Sequence, residues 1–371
     1  MTTAERGIGA EKIRREGAGV TDDGFRWPEV LTTLLHREDL DERTAATVMR
    51  QLMAGEAESS QVAGLLVALR AKGEAGAEIA GFVRAMLEAA EPIELPDDLA
   101  SRLVDTCGTG GDGAGTFNIS TIAALVVAAA GVPVAKHGNR AASGTCGSAD
   151  LLEAWGVAID LRPADVGRCL TELGIGFLYA RSFHPAMRHV APVRAELGIR
   201  TTFNVLGPLS NPAGAPHQVV GVSDRSLGRP MAEALARLGK DRALVFRGRD
   251  GLDELTTTTV SDVWEVRDGE VSLGELDPAS LGIEPATRED LLGGSISDNV
   301  AIADAVLAGE PGPRSDIVAL NAAAALLAGG AVEDLDAGLE LARRTLVEGR
   351  ASALRDRWVA RTQQLRERSH G

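Results

Sequence analysis

The stretch DTCGTGGDGAGTFNIST, residues 105–121, holds five glycines between residues 108 and 115, followed by Asn, Ser and Thr. It overlaps the end of RLVDTC, which predicts a strand, and leads into an apolar run that predicts a helix over residues 118–130. We call residues 109–117 the glycine loop. This order is typical of a phosphate site in an α/β fold, because the helix directs free N–H groups and its positive dipole end at the loop. A tight turn without a ligand is the weaker alternative.

After this loop the sequence alternates short apolar strands with helices, which is typical of a largely parallel α/β sheet. The predicted strands are VPVAKHG, IGFLYA, HQVVGVS and RALVFRG, and the predicted helices cover residues 147–155, 163–174 and 227–239. Residues 257–276 have alternating strand character around the pair Asp268 and Gly269, which predicts a local antiparallel excursion. From residue 315 onward the pattern is helical. We therefore predict an α/β domain with a mainly parallel central sheet flanked by helices.

A separate helical unit precedes this sheet. Apolar residues follow the helical i, i+3, i+4, i+7 spacing three times, over residues 45–52, 62–69 and 79–86. The segment EPIELPDD, residues 91–98, has the composition of a linker. Residues 1–25 are polar and glycine-rich, which predicts a mobile tail. We expect a small all-helical N-terminal domain over residues 26–95 and a larger α/β domain from residue 100.

The composition is that of a globular protein: of 371 residues, 44% are hydrophobic and 25% are charged. Lys and Arg total 38 and Asp and Glu total 53, so the formal net charge of -15 argues against non-specific binding to nucleic acid or anionic membranes. Three widely spaced cysteines without a CxxC pair favour a reducing cytoplasm over a zinc site or a disulfide framework. The sequence shows no secretory signal and no apolar run long enough to cross a bilayer.

Gly108, Gly110 and Gly113 match the GxGxxG pattern of dinucleotide-binding folds, which is weak evidence alone. Such a fold expects an acid at the end of the second strand to bind the ribose diol, whereas here that strand ends in the basic KHGNR, residues 136–140. The loop also lacks the GK[ST] ending of a P-loop. We therefore expect it to bind phosphate in another way.

Two further polar runs follow predicted strands. KHGNRAASGTCGSAD, residues 136–150, is either a solvated basic turn or part of an anion site shared with the glycine loop. We call residues 139–147 the second loop. Because ligands bind at the carboxyl ends of parallel strands, two such loops after neighbouring strands favour the shared site. Asp253 and Glu254 in DGLDE are either an acidic turn or, beside a polyphosphate, magnesium ligands.

The run HPAMRHVAPVRAELGIRTTFNVLGPLSNP, residues 184–212, carries Arg188, Arg194 and Arg200. An arginine fork suits a carboxylate ligand better than a lysine does. Two prolines and a glycine in FNVLGPLSNP predict a rigid loop. The sequence has no GxSxG or HExxH motif and no cysteine flanked by a plausible base, so we expect chemistry that depends on positioning and a metal.

The four motifs together, in this order, resemble anthranilate phosphoribosyltransferases over roughly residues 27–362. The resemblance implies transfer of the phosphoribosyl group of phosphoribosyl pyrophosphate (PRPP) to the amine of anthranilate, with release of pyrophosphate, in tryptophan biosynthesis. It also implies a homodimer formed through the helical domain, and a contribution of residues 184–212 to that domain. The α/β phosphoribosyl-binding domain would then comprise residues 100–183 and 213–371.

The same resemblance assigns site residues by position. For PRPP it implies Gly108, Gly111, Asp112, Thr116, Asn118, Ile119, Ser120, Thr121, Lys136 and Ser148. For anthranilate it implies Gly108, His137, Asn139, His184 and Arg194, with Arg194 gripping the carboxylate. For Mg²⁺, with two ions expected per subunit, it implies Ser120, Asp253 and Glu254. We assign no general base, because the amine is a neutral nucleophile. After Asn139 the family commonly has SSxSG, where this chain has Ser143, Gly144, Thr145, Cys146 and Gly147.

Two alternatives stay open at this point. A pyrimidine nucleoside phosphorylase-like enzyme would share the fold and a similar glycine loop, although Arg194 and the pair Asp253 and Glu254 favour PRPP and anthranilate. A nucleic-acid-binding relative without the activity would keep the fold, although the net charge of -15 and the intact motifs count against it. We expect small-molecule substrates, and neither nucleic acid nor a membrane as a partner.

Overall fold

The computed structural model describes residues 25–141 and 145–370. The mobile tail predicted over residues 1–25 therefore lies outside the described residues, apart from Phe25, whose ring packs edge-on against Trp27 with 5.5 Å between centroids. Residues 142–144 of the second loop, which include Gly144, one of the positions that depart from the family pattern, also lie outside them.

Helices form where the apolar periodicity predicts them, with suitable residues at their ends. Asp41 precedes the second helix and accepts a hydrogen bond from the Thr44 N–H at 2.7 Å, and Gly55 ends that helix in the left-handed region. The helices are α1 Trp27–Leu35, α2 Glu42–Ala54, α3 Ser59–Lys72, α4 Gly76–Glu88, α5 Asp97–Ala100, α6 Ile119–Ala129, α7 Ser148–Ala154, α8 Pro163–Leu173, α9 Ala180–Phe183, α10 Ala191–Leu197, α11 Phe203–Leu209, α12 Arg225–Arg237, α13 Ile296–Leu307, α14 Pro313–Ala328, α15 Leu335–Val347 and α16 Arg350–His370. The residue pattern predicts no helix at α1, α5, α9, α10, α11 or α13. In the described ranges no helix is both long and apolar enough to cross a membrane.

The strands form one sheet in the order β3-β2-β1-β4-β5-β6-β7. They are β1 Val104–Gly108, β2 Val134–Gly138, β3 Ile175–Tyr179, β4 His217–Gly221, β5 Arg242–Gly248, β6 Ser261–Arg267 and β7 Glu270–Leu276. The pairs from β3 across to β5 are parallel, whereas β6 and β7 are antiparallel. Asp268 and Gly269 join β6 to β7 with φ of 54° and 78°, as a tight hairpin with both turn residues at positive φ requires. The predicted fold class, including the antiparallel excursion, is confirmed.

Each face of the sheet has its own core, because successive strand residues point to opposite faces. Val219 and Leu244 belong to one core together with α6 and α14. Val220 and Val245 belong to the other core together with α12, and this core continues into α1, α2, α3 and α4. The N-terminal helices therefore share the apolar core on one face of the sheet, the face that packs against α12.

Residues 184–212 lie against the N-terminal helices. A 3₁₀ helix, Pro185–His189, packs on α2, while α10 packs on α3 and α11 on α4. The rigid loop predicted for FNVLGPLSNP is wrong for its first seven residues, which form α11. Pro208 is compatible with this helix because it occupies the last turn, one residue before the helix ends, so only one backbone hydrogen bond is lost.

The contact between α2 and α4 depends on Gly81, where an added Cβ would overlap the carbonyl oxygen of Glu42. We expect Gly81→Ala to lower the free energy of unfolding by about 1–3 kcal/mol, because the two helices would have to separate. Gly64→Ala in α3 is the matched control, since its Cβ would meet Leu31 at an ordinary 3.5 Å. Denaturant unfolding of both variants tests this, and equal midpoints would contradict it.

Candidate functional site

Three loops come together at the carboxyl edge of the sheet. The glycine loop follows β1, the second loop follows β2, and residues 249–255 follow β5. At this edge β1 lies beside β4, and the helices that follow them, α6 and α12, pack on opposite faces. Such a switch point is where open α/β sheets bind ligands. The fold therefore brings the predicted phosphate loops and the acidic pair to one place.

Asp253 is inserted between the ends of β1 and β4. Gly108 and Gly221 are register partners on these strands. A Cβ on Gly108 would lie 2.6 Å from Asp253 Oδ2, and a Cβ on Gly221 would overlap the Asp253 carbonyl. The same Oδ2 accepts a hydrogen bond from the Gly110 N–H at 2.6 Å. Two missing side chains thus allow an acid to reach the base of the glycine loop.

Burial and mutual repulsion disfavour two ionised carboxylates at Asp253 and Glu254 unless a cation lies beside them. Burial and then the neighbouring Asp112 raise the pKa of Asp253 to about 7. Burial and then Asp253 raise the pKa of Glu254 well above its ordinary value, although the Ser120 N–H donates to it and Lys136 opposes the shift. The described residues hold no group of three His, Cys, Asp or Glu arranged to bind a metal by themselves. A cation here would need oxygen atoms from a ligand as well.

Asp112 folds the glycine loop on itself. Its Oδ1 accepts from the Ala114 N–H at 3.0 Å, which is an Asx turn. Gly111 beside it has φ of 73°, and an added Cβ would overlap the guanidinium of Arg200. Arg200 Nη2 in turn donates to the Thr109 carbonyl at 3.1 Å. The loop therefore carries an arginine along one side, a feature that its sequence did not indicate.

Lys136 lies under the site. Its side chain is only 2% exposed, and its Nζ donates to the Thr106 carbonyl and lies 3.4 Å from Ser120 Oγ. Burial lowers its pKa, and the nearby Asp105 and Glu254 oppose that shift. The ammonium thus supports the end of β1 and the start of α6 from below, and supplies positive charge beneath the glycine loop.

The first residues of α6 connect the glycine loop to the second loop. Asn118 Nδ2 donates to the Cys146 carbonyl at 3.0 Å, and Thr121 Oγ1 donates to Ser148 Oγ at 3.0 Å. Within the described part of the chain, the buried Oδ1 of Asn118 has no hydrogen-bond partner. Ile119 has its side chain in the core and its N–H bonded to the Phe117 carbonyl at 2.8 Å.

Asp150 holds both ends of the second loop. Its Oδ2 accepts from the N–H groups of Ala141 at 3.1 Å and Gly147 at 2.9 Å, and its Oδ1 accepts from Arg140 at 3.0 Å. These bonds oppose the effect of burial and lower the pKa of Asp150. Asn139 Oδ1 accepts from the Arg140 N–H at 2.8 Å, which leaves the Nδ2 amide of Asn139 as its outward donor.

Helix α11 organises the histidines and Arg194. Rings of His137 and His184 lie 5.2 Å apart, with His137 Nδ1 3.1 Å from the Gly207 carbonyl and His184 Nε2 2.9 Å from the Ser210 carbonyl. Burial, then the charge of His184, lowers the pKa of His137 to about 3, and burial also lowers that of His184, so both rings are neutral at physiological pH.

The Arg194 guanidinium lies 5.2 Å from the centre of the Phe203 ring, which is the first residue of α11. No hydrogen bond or ion pair joins the Arg194 guanidinium to any described residue, and burial lowers the pKa of Arg194 from the very high value of a free arginine. The guanidinium is half-buried and lies against the Phe203 ring, so this fork is available to a planar carboxylate.

Hydrogen bonds or ring contacts link Asn118 to Cys146, Thr121 to Ser148, Lys136 to Ser120 and His137 to His184. Among the described residues, no hydrogen bond, ion pair or ring contact joins Asn139 to Arg194. Thr116 lies at the outer end of the glycine loop, where it pairs with Leu292. Arg200 and Asp150 were not predicted. The acid three residues after Gly147 is a capping-box signal that could have identified Asp150, whereas nothing in the sequence places Arg200 against Gly111.

Two family models match the chain. The α/β domain of a glycosyl transferase family matches residues 100–352, and the helical bundle domain of the same family matches residues 28–90. The chain is 54% identical over 333 residues to the anthranilate phosphoribosyltransferase of Roseiflexus castenholzii, covering 88% of this chain and 95% of the relative.

Two solved structures are similar over most of the chain. The anthranilate phosphoribosyltransferase of Thermus thermophilus has a TM-score of 0.85 and 51% identity, covering 90% of this chain and 99% of that one. The Saccharomyces cerevisiae enzyme in complex with PRPP and Mg has a TM-score of 0.82 and 25% identity, covering 91% and 98%.

We expect Asp150→Asn to loosen the second loop, because a neutral amide oxygen is a weaker acceptor for the two loop N–H groups and the amide NH₂ cannot accept from Arg140. Each bond to the charged acceptor is worth about 1.5–3 kcal/mol. Hydrogen exchange at the amides of Ala141 and Gly147 should accelerate by at least tenfold. Glu153→Gln is the matched control, because Glu153 also pairs with Arg140, at 2.7 Å, but contacts neither amide. Equal exchange in both variants would show that Asp150 does not hold the loop.

Proposed function

The chain belongs to the anthranilate phosphoribosyltransferase family, and we propose that the edge where β1 meets β4 is the place of its reaction. The protein transfers the phosphoribosyl group of PRPP to the amine of anthranilate in tryptophan biosynthesis. One observation supports this function above all: the sequence identity is about half over nearly the whole length of relatives named anthranilate phosphoribosyltransferase. These relatives favour PRPP and anthranilate over a nucleoside phosphorylase or a nucleic-acid-binding protein.

We place PRPP on the glycine loop and the start of α6. Backbone N–H groups of the loop and the hydroxyls of Ser120 and Thr121 suit phosphate oxygens, and the positive end of the helix favours the charge. Lys136 adds a positive charge beneath them. The remaining residues proposed for PRPP are Gly108, Gly111, Asp112, Thr116, Asn118, Ile119 and Ser148. Ile119 contributes only through its backbone position, since its side chain is in the core.

Anthranilate would bind between the second loop and α11. Arg194 has a free guanidinium and would take the carboxylate as a bidentate pair. The outward amide of Asn139 and the neutral rings of His137 and His184 would line the same channel, next to Gly108. Neutral rings suit a flat aromatic ligand whose amine must stay uncharged.

The acidic pair fits magnesium by its chemistry. Asp253 and Glu254 are carboxylates with raised pKa values, so a cation there would relieve their repulsion. Magnesium is held by a few protein carboxylates together with substrate phosphate oxygens and water, which agrees with the lack of a protein-only cluster among the described residues. We propose that Ser120, Asp253 and Glu254 hold it, with two ions per subunit.

In the reaction the bond between ribose C1 and the pyrophosphate oxygen breaks, a bond from C1 to the anthranilate nitrogen forms, and the nitrogen loses a proton to the released pyrophosphate or to solvent water. Bound magnesium supplies positive charge where the leaving group becomes negative. Lys136 and the glycine-loop amides hold the phosphates, and Arg194 orients the amine toward C1. Such alignment can lower the barrier by about 7–11 kcal/mol. No side chain is assigned as a base, because the amine is already a neutral nucleophile.

We propose that the protein is a cytoplasmic homodimer formed through its helical domain. Leu35 of α1, Val67 of α3 and Ile199 after α10 are exposed apolar side chains on elements that pack together. They suit a contact with a second copy of the chain. The three cysteines are unpaired, which agrees with a reducing compartment. We keep residues 26–95 and about 184–212 as the helical domain, because α10 and α11 pack on α3 and α4.

Protein mixed with PRPP, Mg²⁺ and anthranilate should consume anthranilate, followed by the loss of its fluorescence. We expect Arg194→Ala to raise the KM for anthranilate by at least tenfold and to change the KM for PRPP much less, because only anthranilate offers a carboxylate to this fork. Arg188→Ala is the matched control, since Arg188 is exposed and, among the described residues, its guanidinium bonds only the Pro185 carbonyl, at 3.4 Å. Equal effects of Arg194→Ala on both substrates would exclude the assignment.

The raised pKa of Asp253 predicts how magnesium dependence changes with pH. Below about pH 7 the carboxyl is protonated, and the metal must displace that proton. The Mg²⁺ concentration for half-maximal rate should therefore rise as the pH falls, approaching about tenfold per pH unit below 7. Asp253→Asn should need more Mg²⁺ at every pH and show a weaker pH dependence. Identical Mg²⁺ titrations for both proteins across this range would mean that Asp253 is not a ligand.

A further inference from the structure

A segment far along the chain contacts both loops of the site. We call residues 291–299 the brace. It pairs with the glycine loop as a short antiparallel ladder: Phe117 N–H donates to the Leu291 carbonyl at 3.3 Å, and Gly293 N–H donates to the Gly115 carbonyl at 2.9 Å. Between these bonds Thr116 and Leu292 form an isolated bridge. The brace therefore fixes the outer half of the glycine loop through backbone bonds.

The same segment also holds the second loop. Thr145 Oγ1 donates a hydrogen bond to the Gly294 carbonyl. Gly294 directly follows the residue that bonds the glycine loop. One short piece of chain thus joins the two loops, and in the sequence Thr145 stands between Gly144 and Cys146, the two positions where this chain lacks a serine of the family's SSxSG.

Side chains of α13 and α14 hold the brace in turn. Asn299 is almost fully buried, and its Nδ2 donates to the carbonyls of Gly294 at 3.1 Å and Ser295 at 2.9 Å. Arg314 on α14 donates to the carbonyl of Leu292 at 3.3 Å. Since α13 begins directly after Ser295, the brace stands on helices of the core. We therefore expect a displacement of one loop to displace the other loop as well.

We propose that the brace couples the two substrate sites, so that PRPP on the glycine loop lowers the KM for anthranilate at the second loop. This inference rests on the proposed placement of the two substrates. A pyrophosphate bound to the glycine loop would fix residues 115–117, whose backbone bonds set the position of the brace. The brace then holds Thr145, and Asp150 joins Gly147 at one end of the second loop to Ala141, two residues from Asn139, at the other. The direct bond from Asn118 to Cys146 acts in parallel, so the brace carries only part of the coupling.

The test compares Thr145→Val, which keeps the side-chain shape and removes the hydroxyl, with Thr145→Ser, which keeps the hydroxyl. Initial rates over a grid of both substrates give the factor by which saturating PRPP lowers the KM for anthranilate. We expect wild type and Thr145→Ser to share this factor, and Thr145→Val to reduce it by about 2- to 10-fold, the range for one hydrogen bond.

A wild-type factor of one, or an unchanged factor in Thr145→Val, would overturn the proposal. If instead wild type consumed no anthranilate with PRPP, the proposed function would fail rather than the coupling.

A second variant tests the other end of the brace. A Cβ on Gly293 would lie 3.0 Å from both N and Cα of Phe117, so Gly293→Ala should push the glycine loop and raise the KM for PRPP several-fold. Gly274→Ala is the matched control, because nothing lies within 4 Å of its Cβ position. Melting curves check that both variants fold. Equal KM values for PRPP in the two folded variants would show that the brace does not position the glycine loop.

Discussion

The site depends on one steric constraint: two neighbouring strands end in glycine at the same register. Gly108 and Gly221 leave the room that Asp253 occupies, both with its carboxylate and with its backbone carbonyl. A side chain at Gly221 would expel the turn that carries the acidic pair, and one at Gly108 would displace the Asp253 carboxylate. With the turn in place, Asp253 accepts from the Gly110 N–H and fixes the base of the glycine loop. The acids, the loop and the strand ends therefore form a single unit whose geometry is set by backbone atoms.

Much of this could be predicted from the sequence, because the signals are local. Strand, glycine loop and helix start follow each other within residues 105–121, and the DG pair at Asp268 and Gly269 marks the hairpin. The helical periodicity of the N-terminal domain is equally direct. Position-by-position resemblance predicts the site residues, and three of them, Asn118, Thr121 and Lys136, have contacts near the start of α6.

Other features could not be predicted, because they depend on contacts between distant segments. Arg200 lies against Gly111, and the brace at residues 291–299 pairs with the glycine loop, across separations that no periodicity encodes. Helix α11 was expected to be a loop because Pro208 and Gly207 outweigh its apolar residues locally. Packing against α4 favours the helix there, and composition does not report that contact.

Asp150 has a consequence for how this sequence can vary. It bonds the amides of Ala141 and Gly147, on either side of the positions where the chain differs from the family's usual SSxSG. Because one carboxylate fixes both ends of the segment, the distance between those ends does not depend on the side chains between them. Asn139 and Ser148 can therefore keep their places with Gly144 and Cys146 in that segment, whereas Thr145 has its own bond to Gly294. A single acid on α7 thus sets the span of a loop whose sequence differs from the family's usual pattern.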